Sequence, residues 1–465
     1  MTDSFLSFFN KEKKDKKKKK IEYKCSMVFG DDFLAEMVYD PDEMETKFAI
    51  FTGGEITYEN NIEILDGWII KPLSARGNIV KKKLVLFPIK AEEYQDNEEL
   101  LKEIQGFIHK YIQVNPVYEK MAAFYVLFTW VHDRFNELPY LRALGDWGTG
   151  KTRALKTIGS LCYKPIFAAG AVTASPIFRI LDITHGTLVM DEADFKISGS
   201  WAEIIKILNC GYQKDIPVLR SESTGRTFEP RAFSVYGPKI IATRKRFDDQ
   251  ALESRCLTEE MQKMTRGDIP FNLADGFWEE AAQIRNKLLL WRFKNFSKIK
   301  LKPELADRSI EPRLNQIMIP LLSIIEDKKV IEEIKQSIRN YNQQLILDRG
   351  MQEEAEVLEI TASLIKEKEP SMKDIAYELN EKHGLNDFYY KGKKFTARQI
   401  GGIIRNNLNL HPKRNYRGYV IPFTEKDKIT RLKEKYGLKK DLEEKTEKEL
   451  QKEADELEKE QLSLE

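Results

Sequence analysis

Residues Gly145 to Thr152 read Gly-Asp-Trp-Gly-Thr-Gly-Lys-Thr, a complete G-x-x-x-x-G-K-[ST] pattern, and the chemistry open to it is phosphate binding. The glycines Gly145, Gly148 and Gly150 can take positive φ, so successive backbone N–H groups, Thr149 among them, turn inward onto a β-phosphate at the positive end of the following helix. Lys151 then reaches the β- and γ-phosphates. The Thr152 hydroxyl holds Mg²⁺. A second cluster, Thr187-Leu-Val-Met-Asp-Glu-Ala-Asp194, is an apolar run that ends in adjacent carboxylates. Asp191 is placed to hold Mg²⁺ directly or through water, and Glu192 to polarise a water for in-line attack on a γ-phosphate. Alone, the cluster also reads as an acidic turn after a core strand; the loop upstream favours the catalytic reading, with ATP and Mg²⁺ as the cofactors.

These residues need elements to carry them. The pattern predicts a strand over Tyr140–Leu144 and a helix over Thr152–Leu161 on the two sides of the loop. Further strands are expected at Pro165–Ala168, Thr187–Met190 and Lys239–Thr243, and helices from Pro176 and over Trp201–Leu208. Strands alternating with helices argue for an α/β fold, a mostly parallel sheet with helices on both faces that binds ligand at the strands' C-terminal ends. Around this nucleotide core, residues 96–270, the chain divides further. Residues 1–20 form a basic arm that either clamps phosphates or merely solubilises. Residues 21–95 hold strand-like runs at Phe33–Tyr39, Lys47–Thr52, Gly67–Ile70 and Lys83–Pro88, a small β-rich domain to which no chemistry is assigned. A helical lid is expected over 271–350, a winged helix-turn-helix over 355–424, and a charged helical or disordered tail over 425–465.

Composition sets the outer bounds. At 465 residues and 42% hydrophobic, the chain has material for about three domains. Cys25, Cys162, Cys210 and Cys256 are scattered, with no C-x-x-C and no His at ligand spacing, which predicts reduced thiols and no structural zinc. The longest apolar run, Met121–Val131, falls well short of the ~20 residues of a spanning helix, and the N-terminus lacks a signal-type apolar stretch. The expectation is a cytoplasmic protein without a membrane partner. Net charge is +2, so nucleic-acid affinity has to come from local patches.

Taken in order, Gly145–Thr152, Thr187–Asp194, Gly237-Pro-Lys-Ile-Ile-Ala-Thr-Arg244, Gln250-Ala-Leu-Glu-Ser-Arg-Cys256 and Glu311-Pro-Arg-Leu314 resemble an AAA+ ATPase of the clade that includes the minichromosome-maintenance and superfamily 3 helicases. The resemblance is particularly to the replication helicases encoded by phages, plasmids and integrated mobile elements. The letters Asp-Glu-Ala-Asp also match the DEAD-box signature, but Lys151 and Asp191 stand much closer in sequence than that family places its two motifs. The resemblance covers residues 100–345. It implies that Thr243 positions the attacking water, that Arg255 is an arginine finger inserted into a neighbouring subunit's site, and that Arg313 is a second sensor on the lid. Many relatives carry Asn where Thr243 stands. A finger supplied in trans implies a homo-oligomeric, hexamer-like ring, and the clade leaves room for a replication partner such as a primase.

Two further segments carry nucleic-acid signals. Ile216–Arg231 reads as a β-hairpin around a Ser-Thr-Gly-Arg turn, and in the resembled helicases a hairpin at this place lines the central pore. Arg220, Arg226 and Arg231 would contact phosphates and Phe228 would stack on bases; the alternative is an ordinary loop whose arginines pair with Glu222 and Glu229. In the C-terminal unit, Ser371–Asn380 and Thr396–Leu408 read as capped amphipathic helices, the second a recognition helix, with a wing turning at Gly418. Arg398, Arg405, Asn406, Lys413, Arg414 and Arg417 would face DNA, although winged helices also dock proteins. The reading is an ATP-driven DNA helicase or translocase. The alternatives are a nucleotide-switched DNA-binding initiator or regulator without processive unwinding, and a ring that remodels proteins.

Overall fold

The computed structural model describes residues 20–64, 67–169, 172–191, 199–224, 227–350, 353–386 and 394–438. Most of the basic arm and of the charged tail lies outside them. The chain forms two compact units, one up to Ser337 and the other from Ile338 onward.

The first unit opens with β1 (Lys20–Tyr23), β2 (Ser26–Phe29), β3 (Phe33–Asp40), β4 (Glu45–Thr52), β5 (Glu55–Glu59), β6 (Ile62–Ile64) and β7 (Trp68–Lys71). β2 to β5 make an antiparallel sheet in sequence order, and β1-β7-β6 a second, smaller one. The stretch Lys83–Pro88, expected as a strand, contributes only one bridge, Val85 against Ile166. Lys83 takes positive φ at 52°, which breaks an extended run before it can propagate.

The α/β core follows the helices Asn97–Tyr111 and Pro116–Thr129. Its strands are β8 (Tyr140–Leu144), β9 (Ile166–Ala168), β10 (Leu188–Met190), β13 (Lys239–Thr243) and β14 (Cys256–Glu260), all parallel in the order β14-β8-β13-β10-β9. Between β10 and β13 a hairpin protrudes, β11 (Val218–Thr224) paired with β12 (Thr227–Phe233). β14 was not legible as a strand: Cys-Leu-Thr-Glu-Glu lacks an apolar run because it lies at the sheet's edge. The interior β8 is buried throughout, even at Arg142, whose guanidinium pairs with Glu253 and whose Nε donates to Thr258 Oγ1 at 3.0 Å. The helix Lys151–Leu161 lies hard against the sheet, since a Cβ on Gly159 would meet Val189 Cγ2 at 2.8 Å. The helices Phe277–Asn295, Pro312–Ser323 and Lys328–Gly350 occupy the range expected to be helical.

A buried ionic cluster rivets the N-terminal sheet to this core. Glu36 of β3 accepts from Arg292 Nε at 2.9 Å, from Lys164 Nζ at 2.9 Å and from the Tyr163 hydroxyl at 2.8 Å. Arg292 in turn holds Asp133 at 2.7 Å. Burial alone would raise the Asp133 carboxyl, but the guanidinium overrides it and holds the group well below the usual carboxylate range.

The second unit contains the helices Glu353–Leu364, Met372–Lys382, Ala397–Gly402 and Lys426–Lys435 with the hairpin β15 (Lys413–Asn415) and β16 (Gly418–Val420). Capping boxes start two of the helices, Ser371 with Asp374 and Thr396 with Gln399, as the sequence expects. The helix expected to run to Leu408 passes into a π-turn at Ile403–Asn407. Leu358, Ile375, Leu379, Ile400, Ile404 and Ile421 form its core. Among the described residues no helix is long and apolar enough to cross a membrane.

Glu36→Ala leaves the buried Lys164 without its carboxylate and Arg292 with Asp133 alone, so unfolding by denaturant should show a loss of about 3–5 kcal/mol. Asp133 adds a pH dependence with a definite sign. Its folded value is depressed, so its stabilisation is complete above its unfolded value near 3.8 and is lost as pH falls through the folded one. Acid titration of Asp133→Asn, followed by circular dichroism, should show a shallower fall in stability than the wild type.

Candidate nucleotide site and nucleic-acid surfaces

Parallel register brings three strand ends level. Leu144 pairs with Thr243, and Met190 with Ile241, so the loop after β8, the end of β13 and Asp191 after β10 stand side by side. Between them opens a cavity of about 620 Å³ lined by the loop from Trp147 to Lys151, by Thr152, Asp191, Thr243 and Arg244, and by Asn272 and Leu273.

The loop has the conformation its glycines permit. Gly148 and Gly150 take φ of 73° and 86°, where a side chain would strain the backbone. Gly145 meets a different constraint, because a Cβ there would lie 2.8 Å from the Met261 carbonyl. Lys151 Nζ donates to the Gly145 and Asp146 carbonyls, at 2.6 Å each, and Thr149 Oγ1 donates to Asp146 O at 2.9 Å. The cation is thus held at the mouth of the loop by carbonyls that a phosphate oxygen outcompetes. Thr152, on the first turn of the helix, is exposed to the same cavity as Asp191, which fits the pair for a shared Mg²⁺.

Thr243 supplies the most telling detail. It is 1% exposed, lines the cavity, and its hydroxyl has no hydrogen-bond partner among the described residues. An orphaned buried hydroxyl costs about 1–3 kcal/mol, so a polar ligand or its water is the natural partner. The residues present therefore fit a nucleoside triphosphate with Mg²⁺. Glu192 lies outside the described residues.

Neither Arg255, expected to act in a neighbouring subunit's site, nor Arg313, expected on the lid, lines this cavity. Arg255 is buried just before β14, its carbonyl accepting from Tyr140 N at the opposite end of β8 from the loop. Its guanidinium donates to Asn209 Oδ1 at 2.5 Å and stacks 4.1 Å from the Tyr212 ring centre. Arg313 is half-buried in the first turn of Pro312–Ser323 and does not line the cavity. Around the cavity stand residues that the sequence does not single out. Arg244 lies 4.0 Å from the ring centre of Trp147, itself 74% exposed on the phosphate loop. Arg153 donates both terminal nitrogens to the Pro270 and Phe271 carbonyls, pinning the segment that brings Asn272 to the cavity. Adjacency of Arg244 to Thr243 at a strand end was the available signal.

On the hairpin, Arg220 pairs across the strands with Arg231, and Glu222 with Glu229, so all four lie on one face. Arg231 contacts Glu222 at 3.1 Å and Arg220 contacts Glu203 at 3.5 Å. Phe228, 76% exposed, and Leu219 occupy the other face. Arg226 lies outside the described residues. Among the described residues, arginine pairing with these carboxylates is seen at Glu222 and not at Glu229. Pairs this exposed are worth only about 0–1 kcal/mol and exchange readily for phosphates. In the second unit, Arg398, Arg405, Asn406, Lys413, Arg414 and Arg417 are all exposed. Tyr416, 88% exposed, joins them, with Arg417 Nε donating to its hydroxyl at 2.9 Å.

No protein-family model matches the chain, and no curated protein matches it. Among solved structures it is similar to the apo C-terminal region of NrS-1, with 11% identity and a TM-score of 0.33 over 83% of this chain and 95% of that one. It is also similar to the active helicase SCCmec type IV Cch, with 12% identity and a TM-score of 0.36 over 81% and 86%. JCV helicase gives 14% identity and a TM-score of 0.24 over 54% and 61%. At such scores the functional reading rests on the site's own residues.

Thr243→Val should separate stability from turnover. Removing an unsatisfied hydroxyl should raise the stability of the nucleotide-free protein by about 1 kcal/mol, while ATP turnover falls at least about tenfold and nucleotide affinity holds. Lys151→Ala should lose affinity and turnover together. Calorimetric nucleotide titration beside a phosphate-release assay reads both.

Proposed function

We propose that this chain is an ATP-driven motor on DNA, a helicase or translocase of a mobile-element replication system that hydrolyses ATP at the subunit interfaces of a ring. The observation that carries the reading is the Thr243 hydroxyl, without a hydrogen-bond partner among the described residues, buried beside the Gly145–Thr152 loop in the cavity that Asp191 also lines. Lys151 and the amides of Gly148, Thr149 and Gly150 hold the β- and γ-phosphates, and Thr152 with Asp191 holds Mg²⁺. Mg²⁺, when bound, neutralises charge across the phosphate oxygens. Glu192 takes the proton of the attacking water, and Thr243 orients that water.

Charge that builds on the γ-phosphoryl oxygens is best met by a planar guanidinium. Arg255 is the proposed finger in trans and Arg313 the proposed second sensor. For Arg255 this requires release from Asn209 and Tyr212, so ring assembly, and not the isolated subunit, sets it free. On the DNA side, Arg220, Arg226, Arg231 and Phe228 of the hairpin grip the strand, and the second unit, in a winged-helix role, adds duplex contacts. A second reading, a nucleotide-switched initiator or regulator, draws support from the hairpin arginines, which already hold Glu222 and Glu203. Loss of those pairs on nucleotide binding would then switch DNA affinity.

Mixing Arg255→Ala with Lys151→Ala should restore part of the hydrolysis that each variant lacks, because an intact lysine loop meets an intact finger only across a subunit boundary. An additive, inactive mixture would place Arg255 in a purely structural role. Deleting residues 355–465 should weaken duplex binding and flatten its salt dependence, each lost phosphate contact lowering the slope of log K against log[salt] by about 0.9. Basal hydrolysis should survive that deletion.

A further inference from the structure

A single buried ammonium ties both feet of the β11/β12 hairpin to the strand that carries Thr243. Lys239, the first residue of β13, is fully buried. Its Nζ donates to the carbonyls of Gly211 at 3.0 Å, Val235 at 3.0 Å and Gly237 at 2.7 Å. Gly211 follows the helix Gly199–Cys210 on the chain's way to β11, whereas Val235 and Gly237 follow β12. The ring centre of Tyr140 lies 4.9 Å from the ammonium, and among the described residues no carboxylate pairs with it. A Cβ on Gly211 would sit 2.5 Å from Nζ, so the foot closes directly onto the charge. Gly237 N donates to Gly211 O at 3.2 Å, which also bonds the two feet to each other. The Tyr125 hydroxyl bridges the backbone of Lys239 from the helix Pro116–Thr129, at 3.1 Å to both its N–H and its C=O.

Burying a lysine this way is costly where an apolar residue would serve a strand start equally well. What the ammonium does that an aliphatic side chain cannot is bind three carbonyls from two chain segments at once. From it, β13 runs as a buried five-residue rod, paired on both sides, to Thr243 in the nucleotide cavity. We propose that Lys239 is a positioning residue that couples the hairpin to the nucleotide site, delivering displacement of the hairpin feet to Thr243 and returning changes at the γ-phosphate to the hairpin. The proposal rests on the nucleotide and DNA reading above.

The cage has its own pH signature. Burial drives Lys239 down from the usual lysine value to about 7. Below that value the ammonium serves all three carbonyls; above it, the amine offers two N–H groups to three acceptors, so coupling weakens as pH rises. The titratable groups facing the cage are the Cys210 thiol and the Tyr140 and Tyr125 phenols, with the Arg255 guanidinium acting on Tyr140. Burial holds both phenols well above their ordinary value.

The test is ATP hydrolysis by the full-length protein with and without saturating oligodeoxythymidylate, from about pH 6 to about pH 9. Lys239→Met should bind nucleotide and keep most of the basal rate, while its stimulation ratio falls close to one and loses its pH dependence. The wild-type ratio should fall as pH rises through about 7, and Cys210→Ser should leave that profile unchanged. If Lys239→Met does not fold, the wild-type profile decides alone. A stimulated wild type with a flat profile, or a Lys239→Met protein stimulated like the wild type, overturns the coupling role of Lys239 and leaves the motor reading standing. A wild type that DNA never stimulates overturns the motor reading, and the coupling role with it.

Discussion

Parallel pairing of β8, β13 and β10 is the constraint on which the site depends. Because parallel strands share direction, their C-terminal ends finish on one edge, and register decides which residues stand level. The pairings Leu144 with Thr243 and Met190 with Ile241 set the phosphate loop, the Thr243 hydroxyl and Asp191 around one cavity. A slip of one residue would turn Thr243 to the other face of the sheet. The packing of Gly159 against Val189 and the buried pairing of Arg142 with Glu253 oppose such a slip, since both act only in the observed register.

The cluster of Glu36, Lys164, Arg292 and Asp133 extends this rigidity. Arg292 belongs to the helix Phe277–Asn295, which closely follows the segment bearing Asn272 and Leu273. Arg153, in the first turn of the helix after the phosphate loop, grips the same segment through Pro270 and Phe271. The segment bearing Asn272 is therefore held by Arg153, whose guanidinium fork satisfies two acceptors at once.

Legibility in the sequence followed locality. The phosphate loop could be read letter by letter, since eight consecutive residues contain its glycines, lysine and hydroxyl. β8, β10 and β13 were legible from their apolar runs, and the hairpin from its turn residues. β14 was not, because an edge strand needs no apolar alternation to stay paired. The surroundings of Arg255 were equally hidden: its partners Asn209 and Tyr212 are distant in sequence, and burial is a property of the folded neighbourhood. Lys239 looks in sequence like a solvated strand-start lysine, and only folding reveals the carbonyls around it. Trp147 over Arg244 was hidden in the same way, a contact made by register and not by spacing.

The division of labour proposed here puts phosphate chemistry at the sheet edge and DNA contact on a hairpin rooted in the same strand, so the two must communicate. Titrating ATP turnover with single-stranded and with double-stranded DNA tests that claim most directly. The account predicts that turnover rises severalfold with at least one form of DNA and that the rise vanishes in Lys151→Ala. Nucleotide that binds, with a turnover indifferent to both forms of DNA, would contradict it.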